Sequence, residues 1–279
     1  DVGNTDVSDD YTRVFARGVS GGLWVNEDIT DPNSSWSLVT GLAANISVTT
    51  IIADPNNSMI MYIGSGESYT SGDTFGQGVW KSTDSGLTWT VIPETTSDFI
   101  AFDSSFDYTN ALEVHPITGE LFIATTDEIY RYDGVNLTVE LDPLGFGYTD
   151  LVITPSGIVY ASFNGSSSLQ GVWSSPTGTG FWTHIAKNGT PLDWSASGRI
   201  VLAEAPSGDG MVYALYVNGN SGGIEADLWQ YNPATSLWVD YSSKLPDEPN
   251  GDSPGNDPFA VQGGYDLVVS VKPDNENFV

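Results

Sequence analysis

The chain has 279 residues, with 8 Lys and Arg against 36 Asp and Glu, and a formal net charge of −28. A surface so acidic repels phosphate backbones and anionic lipid, which excludes nucleic acid as a partner. No run of ~18 apolar residues occurs, so no membrane span is expected.

Zero cysteines fit either the cytosol or a secreted bacterial protein that does without disulfides. A hydrophobic content of 39% is ample for a core at this length. Many glycines and aromatics among short apolar runs point to an all-β protein.

Taken in order, Asp1–Asp10 reads as a linker or frayed end. A repeating unit follows, and its period governs the fold. Thr50–Pro55 followed by Ile60–Gly64 is strand, proline turn, strand. The same plan returns at Ala111–Pro116, Leu151–Pro155, Ile200–Pro206 and Leu267–Pro273. Each proline stands just past a strand, where its missing N–H does no harm.

A second pair of strands completes each unit. Gly22-Leu23-Trp24 leads to Trp36, Gly78-Val79-Trp80 to Trp89, Ile129–Tyr132 to Leu137, Gly171-Val172-Trp173 to Trp182, and Leu228-Trp229 to Trp238. The prediction is a β-propeller of four-stranded antiparallel blades, about five plus a partial one. The expected blade bounds are 11–45, 46–97, 98–145, 146–190 and 191–246, with part of another over 247–279. The first unit lacks an obvious innermost strand. Either Tyr265–Val271 closes a five-bladed ring, or further blades of a longer parent chain follow; the half-formed second strand at Asn277–Val279 favours the latter.

One stretch is more specific. Ser82-x-Asp84-x-Gly86-x-Thr88-Trp89 places a carboxylate and a glycine in a tight turn between two β-type runs. These residues resemble the Asp-box of sialidase-like (BNR) and sortilin-like β-propellers. The resemblance implies a folding device, with Asp84 tying down the turn and Trp89 packing beside the neighbouring blade. Gly18–Trp24, Tyr62–Glu67 and Gln262–Asp266 resemble secreted propellers of Bacteroidota-type bacteria that carry a sorting domain. That resemblance implies a secreted or cell-surface location.

Strand order separates two sets of connections. The first-to-second and third-to-fourth turns are short. The second-to-third loops and the links between blades are long, and long loops on a rigid scaffold are where binding concentrates. They carry carboxylates interleaved with aromatics. The candidate ligand-binding face is Glu67, Tyr69, Asp73, Phe75, Asp98, Asp103, Asp107, Asp193, Trp194, Glu225 and Asp227, within loops that also hold Phe102 and Tyr108. Rings stack on pyranose faces and carboxylates accept hydroxyl hydrogen bonds, so a glycan fits; a basic protein partner fits the same chemistry. Asp247, Asp252 and Asp257 are the acidic positions where Ca²⁺ would be held, although their spacing is not that of an EF-hand.

Other chemistries find no support. His115 and His184 lack a nucleophile or zinc-ligand spacing and read as structural. Arg13, Arg17, Arg131 and Arg199 lie outside the long loops, which argues against a sialidase arginine cluster, and Arg131 reads as an ion-pair residue. No phosphate-binding glycine loop occurs. The expected function is a secreted or surface module that binds a glycan or protein by its long-loop face. A propeller glycoside hydrolase with paired carboxylates is the alternative, and a non-catalytic spacer a third.

Overall fold

A computed structural model describes residues 12–43, 45–68, 74–98, 102–143, 147–164, 168–205, 210–220, 225–246, 261 and 267–279. The expectations for Asp1–Asp10 and for Tyr69, Asp73, Asp247, Asp252 and Asp257 fall outside these residues. The chain divides into two compact units, one of Asp1–Thr126 and Tyr130–Val139, the other of Asp127–Ile129 and Glu140–Val279.

The described residues form five antiparallel sheets on one plan, and those sheets are the blades of a β-propeller. Sheet one holds β1 (Val14–Gly18), β2 (Gly22–Asn26) and β3 (Ser37–Leu38). Sheet two holds β4 (Val48–Asp54), β5 (Asn57–Ser65), β6 (Val79–Ser82) and β7 (Thr90–Val91). Sheet three runs through β8 (Thr109–Val114), β9 (Leu121–Thr125), β10 (Ile129–Tyr132) and β11 (Leu137–Leu141). Sheet four holds β12 (Tyr148–Ile153), β13 (Val159–Asn164), β14 (Gly171–Ser175) and β15 (Thr183–Ala186). Sheet five holds β16 (Ala196–Glu204), β17 (Val212–Asn218), β18 (Ala226–Asn232) and β19 (Leu237–Asp240). In every sheet neighbours in sequence are neighbours in space. Four sheets have four strands. Sheet one has three, and its β2 carries the Gly-x-Trp unit that β6 and β14 carry in theirs.

Burial explains the pattern of each strand. The second strands β9, β13 and β17 are buried almost throughout, as strands covered on both faces must be. Fourth strands such as β11 and β19 are largely solvated. In the first unit Phe15, Leu23, Ile51, Met61 and Trp89 form one apolar cluster between sheets one and two, and Tyr62, Val79, Leu112, Leu121 and Ile123 form another between sheets two and three. In the second unit Tyr160, Val172, Trp194, Ile200, Leu202 and Trp229 join sheets four and five. Within each unit, neighbouring sheets therefore bury their faces against one another.

The turn over Ser82–Trp89 is tied by its own side chains. Ser82 Oγ accepts from Gly86 N at 2.8 Å and donates to Asp84 Oδ1 at 2.8 Å. Asp84 accepts from Thr88 N at 2.8 Å and from Thr88 Oγ1 at 2.6 Å. Those bonds, the Thr88 hydroxyl first, hold the Asp84 carboxyl at a pKa of about 2. Trp89 turns inward, its Nε1 donating to Gly86 O at 3.0 Å, and reaches the cluster that contains Phe15 from sheet one.

After sheet five, Leu267, Val269 and Val271 point inward while Val268 and Ser270 face out. Leu267 packs with Val201 and Leu215, and Val271 with Ala203 and Tyr213. This is the period of a strand, yet over 267–279 the described residues form only an isolated bridge, Lys272 with Asn275.

Candidate functional site

Two connections at one end of the first unit build the candidate site: the β5–β6 loop and the link from β7 to β8. Their backbones meet directly, with Gly76 N donating to Asp107 O at 2.7 Å. Gly66 N in turn donates to Ser47 O at 3.0 Å, tying the loop to the segment that enters β4.

The link folds around Asp107. A short 3-10 turn, Ser105–Asp107, is capped by Ser104, whose side chain accepts from Phe106 N at 3.2 Å. The fully buried Asp107 carboxylate accepts from Ser104 N at 2.9 Å, from Asp103 N at 3.0 Å, and from the Ser97 hydroxyl. Sequence therefore spends this carboxylate on backbone donors that would otherwise be orphaned.

The chain so held presents three stacked rings. Phe75 lies 5.5 Å from Tyr108 at 28°, and Phe102 lies 5.6 Å from Tyr108 at 20°. Tyr108 is buried at the centre of the stack, Phe75 is half-buried, and Phe102 is 48% exposed. Asp98 and Asp103 flank the stack in sequence, and both are exposed. An exposed apolar ring face on a link that also carries exposed carboxylates can hold a molecule with one apolar face and hydroxyls at its edge.

The other predicted positions behave differently. Glu67 is buried, and its backbone bridges to Thr74. In the second unit Trp194 corrects its expected role. It is 1% exposed and packs against Tyr216 at 4.4 Å, Trp238 at 5.1 Å and Trp229 at 5.7 Å. Its ring is core because the link before β16 turns inward there, with Asp193 at φ +72° left exposed. Asp227 is also buried; its carboxyl accepts from Asn218 Nδ2 at 2.8 Å, and burial raises its pKa. Glu225 is half-buried, its backbone carbonyl accepting from Asn218 N at 2.9 Å. Among the described residues, no three His, Asp or Glu side chains converge on a point that could hold a metal ion.

The two histidines and Arg131 behave as structural residues. His115 Nδ1 accepts from Ile117 N and Thr118 N, both at 3.2 Å, closing the β8–β9 turn. His184 stacks on Trp173 at 4.2 Å and 3°, and burial lowers its pKa. Arg131 pairs with Glu120.

Two cavities accompany these surfaces. One of about 580 Å³ lies in the second unit, between Leu228 and Tyr241 of sheet five and Val268–Ser270, with Lys244 its one charged lining residue. The other, of about 340 Å³, opens in the first unit beside Trp24. No candidate position was read from the sequence at Trp24. The sequence does carry a marker there, since Trp24 belongs to the Gly-x-Trp unit that recurs at Trp80 and Trp173.

No protein-family model matches the chain. It is 27% identical over 172 residues to the xyloglucanase Xgh74A of Acetivibrio thermocellus, a span of 52% of this chain and 19% of that enzyme. Among solved structures it is similar to the GH74 xyloglucanase of Xanthomonas campestris, with a TM-score of 0.59 and 18% identity over 86% of this chain and 37% of that one. An ancestral GH74 enzyme gives the same TM-score at 16% identity, over 83% and 30%. An auxiliary nutrient binding protein of Bacteroides thetaiotaomicron gives 0.51 at 14% identity, over 85% and 55%. The chain spans about a fifth of the length of the curated xyloglucanase and about a third of the two GH74 structures.

Proposed function

We propose that this chain is a carbohydrate-binding propeller module of a secreted or cell-surface bacterial protein, working beside further blades or domains. It holds a glycan at the long-loop end of its first unit. The observation that carries the reading is the Phe75–Tyr108–Phe102 stack, with one ring open to solvent and the exposed Asp98 and Asp103 in the same link between blades. A pyranose lays its C–H face on the ring while its hydroxyls donate to the carboxylates. The partial likeness to a xyloglucanase supports xyloglucan as the first ligand to try.

The same likeness favours a second reading, glycoside hydrolysis by two of the acidic groups. The two readings separate in one experiment. The protein is titrated with xyloglucan and other neutral β-glucans by calorimetry, and the mixtures are assayed for new reducing ends. Saturable heat without new ends supports the module. New ends that vanish in Asp98→Asn or Asp103→Asn variants support the hydrolase. Neither signal, for any glycan, removes both readings and leaves a spacer.

A further inference from the structure

The cavity beside Trp24 is formed by the β1–β2 turn and the segment that leaves β3 for β4. Its floor is core, since Leu23 and Ile46 are 0% and 1% exposed. Its wall is the indole of Trp24, 39% exposed and fixed in orientation by the bond from Nε1 to Gly21 O at 2.8 Å. Its rim carries Ser20, Thr40 and Asn45, whose side chains make no hydrogen bond to any described residue. No Asp, Glu, Lys or Arg lines it. In a chain with 36 acidic residues, a cavity without a single charge is set apart from the rest of the surface.

The equivalent ring elsewhere shows what is different here. Trp173 stands in the same Gly-x-Trp unit of sheet four, and His184 covers its face at 4.2 Å. Trp24 has no aromatic or histidine ring on it among the described residues, and its cross-strand neighbour is Leu38. Its ring is left for something that is not part of the sheet. The volume of about 340 Å³ falls within the ~300–1,000 Å³ range of small-ligand sites.

We infer that this cavity is a second subsite, which takes one uncharged hexopyranose unit of a neutral polysaccharide against Trp24, with its hydroxyls on Ser20, Thr40 and Asn45. An apolar floor and aromatic wall suit the C–H face of a sugar. Neutral side chains that both donate and accept suit hydroxyls. A uronate brings a charge that nothing in the cavity would neutralise, so the subsite discriminates against acidic glycans. The segment leaving the cavity reaches Ser47, whose carbonyl accepts from Gly66 N, and Gly66 abuts Asp107 under the ring stack. The subsite and the stack are thus neighbours at one end of the same unit.

The inference rests on the glycan reading above, and the test separates the two. Wild type, Trp24→Ala, Trp24→Phe and Phe102→Ala are titrated with xyloglucan and cello-oligosaccharides, with oligogalacturonate as the charged probe; melting temperature reports folding. The expected result is neutral binding that falls at least tenfold in Trp24→Ala, falls less than threefold in Trp24→Phe, and is absent for oligogalacturonate. Undiminished affinity in a folded Trp24→Ala variant, with loss in Phe102→Ala, overturns the subsite and leaves the ring-stack reading intact. Loss in Trp24→Ala with none in Phe102→Ala does the reverse. Equal affinity for oligogalacturonate overturns the claim of an uncharged ligand, and no binding by wild type overturns both.

Discussion

The carbonyl oxygen of Asp107 occupies the space beside Gly66 where any other residue would carry its side chain. A β-carbon built there would lie 1.8 Å from that oxygen, and Gly66 has a φ of +88°. The β5–β6 loop and the β7–β8 link can close on each other only because this residue has no side chain. Gly66→Ala is therefore expected to cost about 3 kcal/mol or more, since both the left-handed backbone and the collision oppose it. Chemical unfolding measures the loss. Glycan binding should fail in the same variant even where it remains folded, because the rings are carried by the segment that would be displaced.

Phe102→Ala makes the opposite prediction. The ring is half in solvent at the end of the stack, so its removal should change stability by about 0.5 kcal/mol or less. Affinity for a neutral glycan should drop about tenfold, close to 1.4 kcal/mol. Parallel calorimetry and thermal melts read the two quantities. A large stability loss would mean that the ring is structural.

Asp84 should be visible in acid. Its folded pKa, about 2, lies below the ordinary value of 3.8. The unfolded chain therefore takes up the proton first, and the carboxylate's contribution is complete above about pH 4 and lost as the pH falls towards 2. Asp84→Asn should lower the melting temperature at neutral pH and give a shallower decline in acid than wild type. Parallel acid limbs in the two proteins would contradict this account of the turn.

Glu204 runs the other way. It stands two residues before Pro206, where sheets three and four place the buried Val114 and Ile153 two residues before their prolines. Its Oε2 is buried without a hydrogen-bond partner among the described residues, and burial lifts the group from 4.5 to about 7. The folded protein then holds a proton that the unfolded chain releases near 4.5, so stability declines as the pH rises from about 4.5 to about 7. Glu204→Gln should remove this decline and be more stable than wild type at pH 8 by about 1 kcal/mol, a figure reduced for partial solvation. At pH 4.5 the advantage should disappear. Urea unfolding across that range is the measurement.

The Ser82–Trp89 turn is legible in the chain. The turn's bonds run between residues two to four apart, so the local sequence carries the whole device. Loop chemistry was legible only as composition. Trp194 and Phe102 look alike in sequence, each an aromatic next to an aspartate in a link between blades. One lies among Tyr216, Trp229 and Trp238, and the other faces water.

Strand period, turn residues and proline placement settled the blade plan without coordinates, because neighbours along the chain make those interactions. Whether a loop side chain turns in or out depends on partners 20 residues or more away, such as Tyr216 for Trp194. Trp24 shows the same division. Its place in a strand is written in the Gly-x-Trp repeat, but that its face stands open beside an uncharged cavity follows from the placement of Leu38–Ala43, Asn45 and Ile46, which only the folded chain brings there.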